Sequence, residues 1–162
     1  MPMRAKRFSP SDQNSLQDFE CGSQTYAVQM ANWIKGEKCL DSIQNRQTSV
    51  WLFYSDEEFV GFGSLGPTNW RMPTQKDPPI PVTIIPALAV DTKFQGRVCS
   101  TGNTYSHDIL HFLLERAQET KVSRVVLYVH EDNAKAIALY KKFGFHALQD
   151  KYHNCIKMFV EI

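Results

Sequence analysis

The sequence predicts an α/β chain, a mixed sheet flanked by helices, and three stretches carry that prediction. Residues 124–145, RVVLYVHEDNAKAIALYKKFGF, read as strand, capped helix, glycine and new strand. Residues 82–91, VTIIPALAVD, form an apolar run suited to a central strand but interrupted by a proline. Residues 106–120, SHDILHFLLERAQET, carry Ile109, Leu110, Leu113, Leu114 and Ala117 at helical spacing.

A length of 162 residues predicts one domain, 1–162, with a sizeable core. The net charge of +1 supplies no global field that would draw nucleic acid or an acidic membrane. No apolar run approaches a membrane span, and the opening MPMRAKRFSP lacks the apolar centre of a signal peptide. Cys21, Cys39, Cys99 and Cys155 lie far apart without metal-ligand spacing, so they read as free thiols of a cytoplasmic protein.

In chain order, residues 1–10 read as a first strand or a loose arm. Ser11 and Asp12 are expected to cap a short helix that reaches Glu20 and breaks at Cys21-Gly22. Ser23 to Lys35 is expected to form a second helix, with Tyr26, Met30, Trp33 and Ile34 on one face and Gly36 closing it. Thr48–Tyr54 and Glu58–Leu65 read as a hairpin through Ser55-Asp56-Glu57. Gly61 and Gly63 predict a bulge or the close approach of another backbone. The Pro-rich stretch Gly66–Pro81 reads as a surface loop rather than a helix or central strand. Trp70 and Arg71 within it are candidates to touch a substrate. In Val82–Asp91, Pro86 lacks an N–H and must interrupt the ladder at a bulge.

The segment Gln95–Tyr105 reads as a long loop, with Gly102-Asn103 as its tight turn and Thr104 or Ser106 as the cap of the next helix. His107 and His111 share a helix face, but Asp108 stands where a zinc-protease helix needs Glu and no third ligand follows, so no metal is expected. Val125–Val129 is a buried strand, and Asp132 and Asn133 start a helix. Ala136, Ile137, Leu139 and Tyr140 form that helix's buried face, and Gly144 supplies its left-handed end. In Leu148–Ile162, two strands flank a turn at Tyr152-His153-Asn154. Ile156, Met158 and Val160 alternate with Lys157, Phe159 and Glu161, which predicts one buried face.

The run VHEDNAKAIALYKKFGF, with Asn133, Tyr140, Gly144 and Phe145 in place, resembles the second half of the acetyl-CoA-binding core of the GNAT family of N-acetyltransferases. That resemblance implies an acyl-CoA N-acyltransferase fold, a mixed sheet in which the fourth strand is bulged and splays from the fifth. It implies direct transfer of an acetyl group from acetyl-CoA, a cosubstrate, to a primary amine. By position, pantetheine would meet the backbone of Leu88, Ala89 and Val90. Gln95, Gly96 and Arg97 begin the family's pyrophosphate loop, whose N–H groups sit at a helix N-terminus. Val98, Cys99 and Ser100 then stand where Gly, any residue and Gly are expected, and an insertion with its turn at Gly102 accounts for the departure. Asn133, Ala136 and Tyr140 complete the implied cofactor site, with Tyr140 as proton donor to the leaving thiolate. His130, Asp91 and Glu58 are candidate bases.

The acceptor amine is not identified by the sequence, no membrane partner is expected, and a homodimer is compatible with it. Phe19-Glu20-Cys21-Gly22 followed by Trp33-Ile34 is similar to an N-terminal pattern in a subgroup that includes toxins acetylating aminoacyl-tRNA, though with longer spacing. The near-neutral charge argues against nucleic acid, tRNA being the one exception that subgroup allows. The glycines missing after Gly96 leave a third reading, a non-catalytic module that binds acyl-CoA.

Overall fold

Proline and glycine decide where the strands of this protein break. The computed structural model describes residues 3–70 and 78–162. In order, the elements are β1 (Arg4–Arg7), a 3-10 turn (Pro10–Leu16), α1 (Thr25–Ile34), α2 (Glu37–Gln44), β2 (Ser49–Ser55) and β3 (Glu58–Trp70). Then come β4 (Ile80–Ile85), β5 (Leu88–Val90), α3 (Tyr105–Gln118), β6 (Arg124–His130), α4 (Ala134–Lys142), β7 (His146–Tyr152) and β8 (Cys155–Glu161). Their contacts define two compact units, Met1–Leu65 with Ala87–Leu113 and Gly66–Pro86 with Leu114–Ile162.

In the first unit β1, β2 and β3 form antiparallel ladders, and β5 pairs antiparallel with β3. Gly61 is where the expected close approach occurs: a Cβ there would lie 2.2 Å from the Ala89 carbonyl oxygen, so no side chain fits. The expected bulge lies beside it: Phe53 pairs with Gly61 and Tyr54 with Phe59, so Val60 of β3 is the extra residue. On one side of this sheet Phe62, fully buried, meets Phe19 at 5.7 Å and Trp33 at 6.0 Å, and Leu16, Ile34, Cys39 and Leu52 fill the same core. On the α3 side Phe112 packs edge-on against Trp51 and Phe53.

The N-terminal helices differ from expectation. The first is only a 3-10 turn, begun at Ser9, whose N–H donates to Asp12 Oδ2 at 2.9 Å. On α1 the fully buried positions are Ala27, Ala31 and Ile34, with Met30 and Trp33 half-buried beside them. Gly36 does close α1, but it also begins α2, a helix the sequence reading omits. At 8 residues α2 is short, and with Glu37, Lys38, Asp41, Ser42 and Gln44 among them only Cys39 is fully buried.

The second unit holds a mixed set of ladders. The end of β3 pairs antiparallel with β4, β4 pairs parallel with β6, and β8 lies antiparallel between β6 and β7. Gly66–Trp70 is therefore strand, not loop, paired from Gly66–Ile84 to Trp70–Ile80. The prolines are tolerated because these stretches are paired on one flank. The β2 ladder ends at Ser49–Leu65, before Pro67, and the β6 ladder begins at Thr83, beyond Pro81. Trp70 is buried with Val82 and Val126 in an apolar cluster, and Arg71 lies outside the described residues. The C-terminal hairpin also departs from expectation. Met158 is fully buried, but Phe159 on the opposite face packs against Trp70 at 5.9 Å, so both faces are covered.

Candidate active site

The break predicted at Pro86 separates β4 from β5. Between the Gly66–Ile84 and Gly63–Leu88 pairs, four steps along one strand face three along β3, so one extra residue is accommodated. Ser64, fully buried, stands opposite Ala87. The Ser64 N–H and hydroxyl both donate to the Ala87 carbonyl at 3.0 Å, and the Ala87 N–H donates to the Ser64 hydroxyl at 3.0 Å. Farther along, the Asp91 N–H donates to the Val60 carbonyl at 2.7 Å. In an antiparallel ladder alternate residues face the partner strand. Ala87, Ala89 and Asp91 therefore direct their amides to β3, and the amides of Leu88 and Val90 point the other way.

The loop after β5 is tied down by side chains. Asp91, buried, accepts the Lys93 N–H at 3.0 Å. Both amide hydrogens of Gln95 are engaged, donating to the Cys21 carbonyl at 2.7 Å and the Val90 carbonyl at 2.8 Å. Gly96 takes φ +74°, which a side chain would resist, and the Arg97 guanidinium lies 5.4 Å from the Phe94 ring centre. Val98 and Thr104 then bridge as a small antiparallel turn, with Gly102 at φ +86°. Thr104 is the cap of α3, accepting the His107 N–H at 3.3 Å. The inserted turn is fastened to the first turn of α3 by Asp108, whose Oδ2 accepts from the Cys99 thiol at 3.0 Å and the Thr101 hydroxyl at 2.7 Å. Burial opposes ionisation of Asp108, but hydrogen bonds from Cys99, Thr101 and His107 outweigh it and hold the carboxyl below its ordinary value.

In the second unit, Asn133 caps α4 by accepting the Ala136 N–H at 3.3 Å. The other end closes with a Schellman motif. Phe145 N–H donates to the Tyr140 carbonyl at 3.0 Å, Gly144 N–H donates to Lys141 at 3.0 Å, and Gly144 takes φ +93°. The apolar contact that goes with this motif is Tyr140 against Phe145, ring centres 5.5 Å apart. Tyr140 is buried, which pushes its phenol up to about 12, and half-buried Ala136 lies one turn before it on the same helix.

Other candidates are arranged differently. His130 Nδ1 accepts the Asp132 N–H at 3.1 Å, which leaves Nε2 to carry the proton in the neutral ring, a poor arrangement for a base. Glu58 is exposed at the β2–β3 turn. Phe19 belongs to the aromatic core, and the Cys21 thiol donates to the Ala27 carbonyl at 3.1 Å; burial raises that thiol to about 11. Reasoning from sequence missed Ser64, because nothing local to an unremarkable serine in a strand signals the residue it will face.

A sequence model described as the acetyltransferase (GNAT) family matches residues 14–145. No curated protein matches the sequence. Among solved structures, the chain is similar to the PaiA N-acetyltransferase from Thermoplasma acidophilum in complex with coenzyme A, with 16% identity, a TM-score of 0.72 and 100% of each chain covered. It is also similar to PH1933 from Pyrococcus horikoshii OT3, at 19% identity, TM-score 0.70 and 99% of each chain. A mutant of the AtaT toxin bound to the C-terminus of the antitoxin AtaR and acetyl-CoA matches at 16% identity and TM-score 0.66, over 99% of this chain and 94% of the toxin.

Proposed function

The chain belongs to the acetyltransferase (GNAT) family, and on that premise we propose how its residues move an acetyl group from acetyl-CoA to a primary amine. The amine nitrogen attacks the thioester carbon, the new N–C bond forms, and the C–S bond breaks with its electron pair on sulfur. The proton released by the amine ends on that sulfur or in water. The Leu88 and Val90 amides suit a pantetheine chain and a developing carbonyl oxyanion, because they already point off β3 and need no reorganisation. Gly96, Arg97 and the turn at Gly102 would receive the diphosphate, with Asn133 and Ala136 lining the cofactor site from α4. Gln95 would act by holding the loop, since both its amide hydrogens are engaged.

Tyr140 would donate to the departing sulfur. A thiol loses its proton near ~8.5, whereas this phenol does so at about 12. Complete transfer would therefore be uphill. Tyr140 is better suited to stabilise the thiolate by a hydrogen bond than to surrender its proton outright. We take residues 1–162 as one transferase domain acting on the amine of a small molecule or protein in the cytoplasm, a compartment its four free thiols suit.

The observation that carries this reading is the capped α4 with Tyr140 at its Schellman end, inside the stretch matched by the family model. Titration calorimetry with acetyl-CoA, followed by coenzyme release against a panel of amines that includes aminoacyl-tRNA, tests it. Binding with release for some acceptor is expected. Binding without release for any acceptor would point to an acyl-CoA-binding module, and absence of binding would sink the reading.

A further inference from the structure

We infer that Ser64 is a positioning residue for the acetyl-transfer site: its buried hydroxyl fixes Ala87, and through Ala87 sets the direction of the Leu88 amide. The inference rests on the proposed use of the β5 edge, but its geometry is independent of it. Pro86 has no N–H, and the residue after it sits where β3 and its partner differ by one residue. Such a break leaves the backbone groups beside it without regular ladder partners. Here the Ala87 carbonyl keeps the Ser64 N–H, and the Ser64 hydroxyl accepts the Ala87 N–H and adds a second donor to the carbonyl, each at 3.0 Å. The serine is fully shielded and Ala87 is 8% exposed, so water cannot replace either bond.

The consequence falls on the next residue. Leu88 is joined to Ala87 by a planar peptide, so whatever holds the Ala87 carbonyl also holds the Leu88 N–H, which is part of the same peptide unit. The Ala87 carbonyl points to β3 and is held there by two donors, the N–H and the hydroxyl of Ser64. A trans peptide places its N–H opposite its C=O, and the Leu88 amide is thereby aimed off β3. Without the hydroxyl the carbonyl keeps one donor, the Ala87 N–H loses its acceptor, and the plane is free to rock. An amide meant for a developing oxyanion acts only when its direction is set before the reaction.

The test compares wild type with Ser64→Ala and Ser64→Cys, the second retaining a weak donor and acceptor of similar size in case the first folds poorly. Loss of one oxyanion donor typically lowers kcat by ~100-fold or more. A donor that is misaimed rather than absent should cost about tenfold, with the KM for acetyl-CoA within about threefold of wild type. Ser64→Cys should fall between. An unchanged kcat per folded molecule in both variants would overturn the inference, as would equal changes in kcat and KM. Amide exchange supplies a readout that needs no turnover: the Ala87 N–H should exchange at least about tenfold faster in Ser64→Ala, and the Leu88 amide resonance should move. If both signals stay as in wild type, Ser64 sets nothing. If they change while wild type releases no coenzyme with any amine, the positioning stands and the enzymatic reading fails.

Discussion

The two stretches assigned to the reaction are built in opposite ways. Asn133–Phe145 is held by its near neighbours: its start is capped from three residues away and its end is closed by bonds that reach back three and five residues. Residues 86–108 add distant partners to their local ones. Ser64 fastens Ala87 across 23 residues, and Gln95 reaches Cys21 across 74. One stretch carries its own geometry, and the other borrows it from the rest of its unit.

The largest expected effect probes the self-contained stretch. Tyr140→Phe removes the hydroxyl while keeping the ring against Phe145, so the helix end should survive. Turnover should fall by ~100-fold, as for loss of one hydrogen-bond donor to a developing charge, with calorimetric affinity for acetyl-CoA within about twofold. An unchanged rate would take Tyr140 out of the chemistry.

The next test sharpens the contrast by placing one substitution in each stretch. Gly144 and Gly102 take φ +93° and +86°, and neither faces a clash: a Cβ at Gly144 would lie 3.7 Å from Val160, and one at Gly102 meets nothing within 4 Å. Both alanine variants thus report backbone strain, about 1–2 kcal/mol at a rigid position. Gly144→Ala should show that full cost in denaturant melts, because its conformation is shared with the Schellman bonds. Gly102→Ala should lose less, since its exposed turn can relax. Equal losses would erase the distinction.

The smallest effect is a pH dependence confined to the borrowed stretch. The folded carboxyl of Asp108 lies below the ordinary 3.8. The stability it contributes is therefore present above that value and is lost as pH falls through it toward the folded value. Protection of residues 98–104, taken against the intrinsic rate at each pH, should fall on acidification below about pH 4, while residues 133–145 keep theirs. In Asp108→Asn that acid step should disappear.

The same contrast explains what could be read from the sequence. Asn133, Tyr140, Gly144 and Phe145 were legible because their roles depend on spacing along the chain. The break at Pro86 was legible because a missing N–H is a local fact. Gly102 in its turn was legible for the same reason, while the helix cap was narrowed only to Thr104 or Ser106, and the structure makes it Thr104. Ser64 was not, nor was the engagement of Gln95 by Cys21 and Val90, because each partner is chosen by the fold. The strand through Pro67 was misread as loop because one-sided pairing, which makes the proline harmless, depends on where β2 stops. The helix Glu37–Gln44 was missed because its apolar face is small, with Cys39 its sole fully buried residue.

The one-residue surplus at Pro86–Ala87 also limits how this chain can change in length. Deleting a single residue between Ile85 and Leu88 would leave three steps facing three, so that β5 keeps its register on β3 while the break closes and the two strands run on as one regular ladder. Adding one would widen the surplus to two or push β5 one place along β3, which would exchange its inward and outward amides. At this spot, a shorter chain should cost the break itself, and a longer one the direction of the Leu88 and Val90 amides.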